Sequence, residues 1–121
     1  MNIKKIFQKL LNNKEKRIQN HRLLFSINPG RSGSQYLAKL LDTSKEVTAF
    51  HEAQPKMTGK YLRLIENQAY ENSREERRIK TYAIKEQLLE LPQRQVYCDT
   101  SHMFIKTFYD VIMNDFKKNQ I

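Results

Sequence analysis

The sequence predicts an α/β domain built on a parallel sheet with flanking helices. Three observations lead there. Three short runs, Leu23–Asn28, Glu46–Phe50 and Val96–Asp99, have the length and composition of buried parallel strands. Segments with helical spacing of apolar residues alternate with them. Polar clusters, Pro29–Ser34, His51-Glu52 and Asp99–His102, follow the three runs, where open α/β sheets gather their ligand-binding loops.

Composition sets the bounds. A chain of 121 residues holds one core, and 39% hydrophobic and 29% charged residues with only three Gly and three Pro describe a folded domain, not a disordered tail. The lone Cys98 excludes an internal disulfide. No apolar run approaches the roughly 18 residues of a membrane-spanning helix, and the first residues are too polar for a secretory signal. The expectation is a soluble protein of a reducing, cytoplasmic compartment. A net charge of +9 favours anionic partners. Residues 1–22 hold seven basic side chains and one acid, a local balance of +6, so only +3 remains for residues 23–121. The expected organisation is therefore a basic N-terminal helix, 1–22, followed by an α/β domain, 23–121.

Within 1–22, Ile3, Ile6, Phe7, Leu10 and Leu11 fall at helical spacing and form one apolar stripe. Such a helix either packs on its own domain or makes peripheral contact with an acidic membrane. The first strand then runs into Pro29-Gly30, and Ser34–Asp42 follows as a helix with Leu37, Leu40 and Leu41 on one face. After the second strand, Tyr61, Leu62, Leu64 and Ile65 support a short helix. Ser73 with Glu76 forms a capping-box signature that opens another helix, running to about Glu90 and stopped by Pro92. Thr100 or Ser101 caps a last helix with Phe104, Phe108, Ile112 and Phe116 on its buried side. Arg74, Arg77, Arg78 and Lys80 alternate with Glu75 and Glu76, which reads as a solvated helix face and not a nucleic-acid patch. Cys98 belongs to the core.

The segment Asn28–Ser34 joins a strand to a helix whose first turn presents unpaired N–H groups and the positive end of the helix dipole. Gly30 and Gly33 let the backbone approach an oxyanion, Arg31 supplies a cationic fork, and Ser32 and Ser34 supply hydroxyls. A plain glycine turn with a capping serine is the simpler alternative. Neither Gly begins a Walker A run, and Gly30-Arg-Ser-Gly33 does not complete a dinucleotide fingerprint.

Pro29-Gly30-Arg31-Ser32-Gly33-Ser34 resembles the phosphosulfate loop of sulfotransferases that use 3′-phosphoadenosine 5′-phosphosulfate (PAPS), which has the form Pro-x-Lys/Arg-Ser-Gly-Thr/Ser. The context PGRSGSQYLAKLLD, the acid after the second strand and the Cys98–His102 strand end strengthen the likeness to bacterial members. The resemblance implies a three-layer, P-loop-like sheet with strand order second, third, first, fourth, fifth. It also implies PAPS as the sulfuryl donor and a hydroxyl or amine as acceptor. Arg31 would hold the phosphosulfate, and Gly30, Ser32, Gly33 and Ser34 would wrap the 5′-phosphate. Glu52 matches the acceptor base of several branches, with His51 a second candidate. A solvated loop carboxylate is the alternative for Glu52. No metal site is expected, and Asp99–His102 either positions substrate or caps the last helix.

The resemblance covers about Leu23 to Phe116, whereas a complete PAPS sulfotransferase is about twice as long. The expectation is thus the N-terminal portion of such an enzyme. A non-catalytic phosphate- or nucleotide-binding module that lacks the 3′-phosphate site is the alternative. Truncation after the third strand would leave the first strand with an open edge, inviting self-association or a partner chain.

Overall fold

The computed structural model describes residues 2–30 and 33–121. The elements run α1 (Ile3–Gln19), β1 (Leu23–Phe25), α2 (Ser34–Leu41), β2 (Val47–Phe50), α3 (Gly59–Arg77), α4 (Ile79–Glu90), β3 (Val96–Asp99), a π-helical turn (Phe104–Phe108), α5 (Tyr109–Asp115) and a 3-10 turn (Lys118–Gln120). The three strands form one open, parallel sheet in the order β1-β3-β2. Tyr97 and Cys98 of β3 are paired on both sides, with Leu23 and Leu24 of β1 and with Thr48 and Ala49 of β2.

Alternation along the strands gives the sheet two unlike faces. Leu23, Tyr97 and the partly buried Phe25 and Phe50 turn toward the main core, where they meet Ile84, Leu88, Phe104, Phe108 and Ile112. Phe25 stacks on Phe104 at 4.6 Å between ring centroids, and Phe104 meets Phe108 edge-on at 5.3 Å. Leu24 and Cys98 turn the other way and border an apolar hollow with Leu37 and Leu41 of α2. Helices therefore flank both faces of the sheet.

β1 is shorter than the six residues expected. Ser26 keeps one ladder bond, from its N–H to Asp99 O at 3.3 Å. Its hydroxyl then donates to Asn28 Oδ1 at 2.6 Å, and the chain turns off the sheet. The expected helix start at Ser73 is also displaced. Ser73 lies inside α3, fully buried, and its hydroxyl donates back to Ala69 O at 2.7 Å while accepting Arg77 Nε at 2.9 Å. The need of a buried guanidinium for acceptors has overridden the capping signature.

That guanidinium corrects a second expectation, since Arg77 and Lys80 are fully buried and are not part of a solvated face. Arg77 makes a two-pronged contact with Asp110, at 2.5 and 2.8 Å, and donates to Thr107 O and Tyr70 O. It clamps α3 to α5. Arg78 does the same more openly, donating to Asp115 Oδ2 at 3.0 Å.

α1 is a full helix, but its expected packing on the domain is confined to the last turn. Ile18 is the buried residue there, Arg17 donates to Leu89 O, and Gln120 Nε2 donates to Ile18 O and His21 O. The apolar stripe from Ile3 to Leu11 stands exposed. Among the described residues no helix is long and apolar enough to cross a membrane.

Candidate functional site

Parallel pairing brings the carboxyl ends of β1, β2 and β3 side by side, so the three polar clusters converge. Thr100, just beyond β3, ties them together. Its N–H donates to Phe50 O at 2.9 Å, and its hydroxyl donates to Ser34 O at 2.7 Å. One buried residue thereby fixes the end of β2 and the first turn of α2 relative to β3.

The result is a cleft of about 630 Å³ lined by Gly30, Gly33, Ser34, Gln35, His51, Glu52 and His102. Its volume suits a small-molecule ligand. One wall is the N-terminus of α2. Gly33 precedes the helix with φ +85°, a left-handed conformation that glycine adopts without strain, and among the described residues nothing lies within 4 Å of where a Cβ on it would stand. Its carbonyl accepts the Leu37 N–H at 2.9 Å. The N–H groups of Ser34, Gln35 and Tyr36 thus have no acceptor within the helix, which makes this end suited to an anion.

The opposite wall carries Glu52 and His102. The His102 Nδ1 lies 3.1 Å from Glu52 Oε1. A carboxylate accepting Nδ1–H orients the His102 ring against Glu52. The His102 ring packs over the glycine loop, with Cδ2 3.5 Å from where a Cβ on residue 30 would stand. Glu52 itself has φ +52°, an uncommon conformation for a non-glycine residue. Lys80 holds it in place from below by donating to Ala53 O at 2.6 Å and Pro55 O at 3.1 Å.

Of the residues singled out from sequence, Gly30, Gly33, Ser34, His51 and Glu52 border one cleft. Arg31 and Ser32 lie outside the described residues. His51 is exposed, and its Nδ1 is 3.5 Å from Thr100 Oγ1. Sequence reasoning ranked His102 with the residues that cap or position, and the structure brings its ring onto Glu52. Its place in the third polar cluster was the available signal. The expected side-chain cap is not formed: Met103 is the N-cap of the π-helical turn, and Ser101 closes a local turn before it, its hydroxyl accepting the Met103 N–H at 3.1 Å. Asp99 points away from the cleft into the core, against Lys80. Burial pushes the Cys98 thiol up to about 11, so it stays protonated. Among the described residues no group of three or more His, Cys, Asp or Glu side chains is arranged to hold a metal ion.

No family model matches the chain, and no significant match was found among curated proteins or solved structures.

Proposed function

We propose that the chain is the N-terminal portion of a PAPS-dependent sulfotransferase with a P-loop-like sheet, acting on a hydroxyl or amine acceptor. The observation that carries this reading is the cleft itself: a glycine-led helix N-terminus faces a carboxylate across the carboxyl ends of three parallel strands. The strand order β2-β3-β1 agrees with the order the resemblance implies. A lone buried thiol suits a reducing, cytoplasmic compartment.

The residues present fit the phosphosulfate end of the donor. The room beside Gly33 among the described residues lets a tetrahedral anion approach the backbone, and the first turn of α2 offers N–H groups to it. Arg31 adjoins this turn in sequence and would supply the cation for the departing phosphate. When bound, the donor supplies a sulfuryl group whose bond to the phosphate oxygen breaks as a bond forms to the acceptor oxygen or nitrogen. Glu52 takes the acceptor proton, and His102 holds the carboxylate toward the glycine loop.

Calorimetry with adenosine 3′,5′-bisphosphate, paired with a turnover assay, tests the reading. Binding should weaken by roughly 1.5–3 kcal/mol in Arg31→Ala, the size of a charge-assisted contact. Unchanged affinity in that variant overturns the site. Tight binding with turnover by this chain favours the enzyme, and weak binding with no turnover instead favours the non-catalytic nucleotide-binding module.

A further inference from the structure

The first four turns of α1 make no use of the domain to cover their apolar side. Ile3, Phe7, Leu10 and Leu11 are 73, 63, 55 and 54% exposed, and Ile6 is 44% exposed. On a wheel of 100° per residue these five side chains span one arc, and Lys4 borders it. Lys5, Lys9 and Lys16 lie on the remaining circumference, and Lys14 closes the stripe on the apolar side before Ile18 docks. The helix is held firmly at its far end by Ile18, Arg17 and the Gln120 bridge. The stripe is thus a continuous apolar surface about 15 Å long that runs off the body of the domain.

We propose that α1 is an in-plane anchor that lays this stripe into the interface of an anionic lipid bilayer. Charge selects that occupant. A surface with five apolar side chains among lysines and a single acid, Glu15, matches a hydrocarbon boundary beneath acidic headgroups. A second copy fits poorly, because pairing two stripes would set a local +6 against another +6. The lysine stems are long enough to reach headgroup phosphates from the flanks while the stripe sits lower. Anchoring rests on α1 alone and is independent of the reading of the cleft.

Co-sedimentation of the full chain with vesicles tests it. Vesicles of equal parts phosphatidylglycerol and phosphatidylcholine should bind the protein, and pure phosphatidylcholine should bind it far less. Binding should fall about fivefold for each of Lys4, Lys5 and Lys9 changed to Gln. It should fall at least about tenfold in Phe7→Glu/Leu10→Glu. Both side chains are exposed, so the unfolding midpoint of that variant should stay at the parent value and folding is not at issue. No preference for the anionic vesicles overturns the proposal, as does undiminished binding by Phe7→Glu/Leu10→Glu. A dimer in sedimentation that this variant dissolves also overturns it, by assigning the stripe to a second copy.

Discussion

Lys80 Nζ lies 3.0 Å from Asp99 Oδ2, with both side chains fully buried. Neither Asp99 oxygen meets a donor in full hydrogen-bond geometry, and the Lys80 ammonium with the Ala53 and Ser101 N–H groups stabilises its charge through looser contacts. The ammonium is better served, with the Ala53 and Pro55 carbonyls and the face of Phe108 at 4.9 Å around it. Burial outweighs the mutual attraction on both partners, lowering the Lys80 pKa and raising that of Asp99. The pair holds the loop after Glu52 to the end of β3. Lys80→Met should therefore destabilise the fold by about 3–5 kcal/mol, because it strands a buried carboxylate.

The same pair predicts a pH dependence with a definite sign. An acid whose folded pKa is raised binds more protons folded than unfolded, so stability falls as pH rises through that window. For Lys80, whose folded pKa is lowered, the unfolded chain holds the extra proton, and stability rises with pH up to the ordinary lysine range. Unfolding free energy of the parent minus that of Lys80→Met/Asp99→Asn should thus fall on leaving the ordinary aspartate range. It should recover on approaching the ordinary lysine range. Urea titrations across pH measure it, and a flat difference would show that burial does not govern the pair.

Ala69 interrupts α3 with φ +66° and ψ +169°, a region that is nearly glycine's alone. The break is used, since Ala69 O accepts the Ser73 hydroxyl and Tyr70 O accepts Arg77 Nη2. Ala69→Gly relieves the strain and keeps those carbonyls in place. It should raise stability by about 1 kcal/mol, read as a higher thermal midpoint. A drop of similar size, as for glycine in an ordinary helix, would place Ala69 in a regular turn instead.

Local signals made β2, β3 and α2 legible as elements, because each is a short stretch with a clear period, although Leu37 and Leu40 on the expected apolar face of α2 stand exposed. The convergence of three loops was legible too, since strand ends in a parallel sheet meet by construction. What escaped were long-range pairings. Nothing near Arg77 in sequence points to Asp110, and nothing near Lys80 points to Asp99, so both cations read as solvent-facing until α3 and α4 were packed on their partners. His102 was hidden by the same limit, because its contact with Glu52 spans two loops.

If a completed form of the protein carries out the proposed transfer, the left-handed backbone of Glu52 and its contact with His102 predict unequal roles for Glu52, His102 and His51. In a sulfuryl-transfer assay, Glu52→Gln should lower kcat about a hundredfold or more and leave adenosine bisphosphate affinity nearly unchanged. His102→Ala should lower kcat less, because it removes only the group that orients the base. His51→Ala should be close to normal, given its exposure and its long contact to Thr100. Equal loss in His51→Ala with a near-normal Glu52→Gln would move the base to His51.

The free side of β1 leads to the last prediction. The ladder bonds Tyr97 N–H to Arg22 O and Ser26 N–H to Asp99 O show that Arg22, Leu24 and Ser26 face β3. Leu23 and Phe25 therefore turn their peptide groups away from β3, where Leu23 is covered, at 3% exposure, and Phe25 is half-buried. Among the described residues β1 pairs with β3 alone, and α1 packs mainly on α4. Beside the β1 edge lie the exposed Leu24 and Ile27, with no charged side chain between residues 23 and 29 to discourage a further strand. Dilute protein should exchange slowly at Leu24, which is paired with β3, and faster at Phe25 on the unpaired side. Raising the concentration should drive self-association that slows the Phe25 amide, and Ile27→Lys, which puts a charge on the edge, should reverse it. A concentration-independent monomer with Phe25 strongly protected would mean that the edge is already filled.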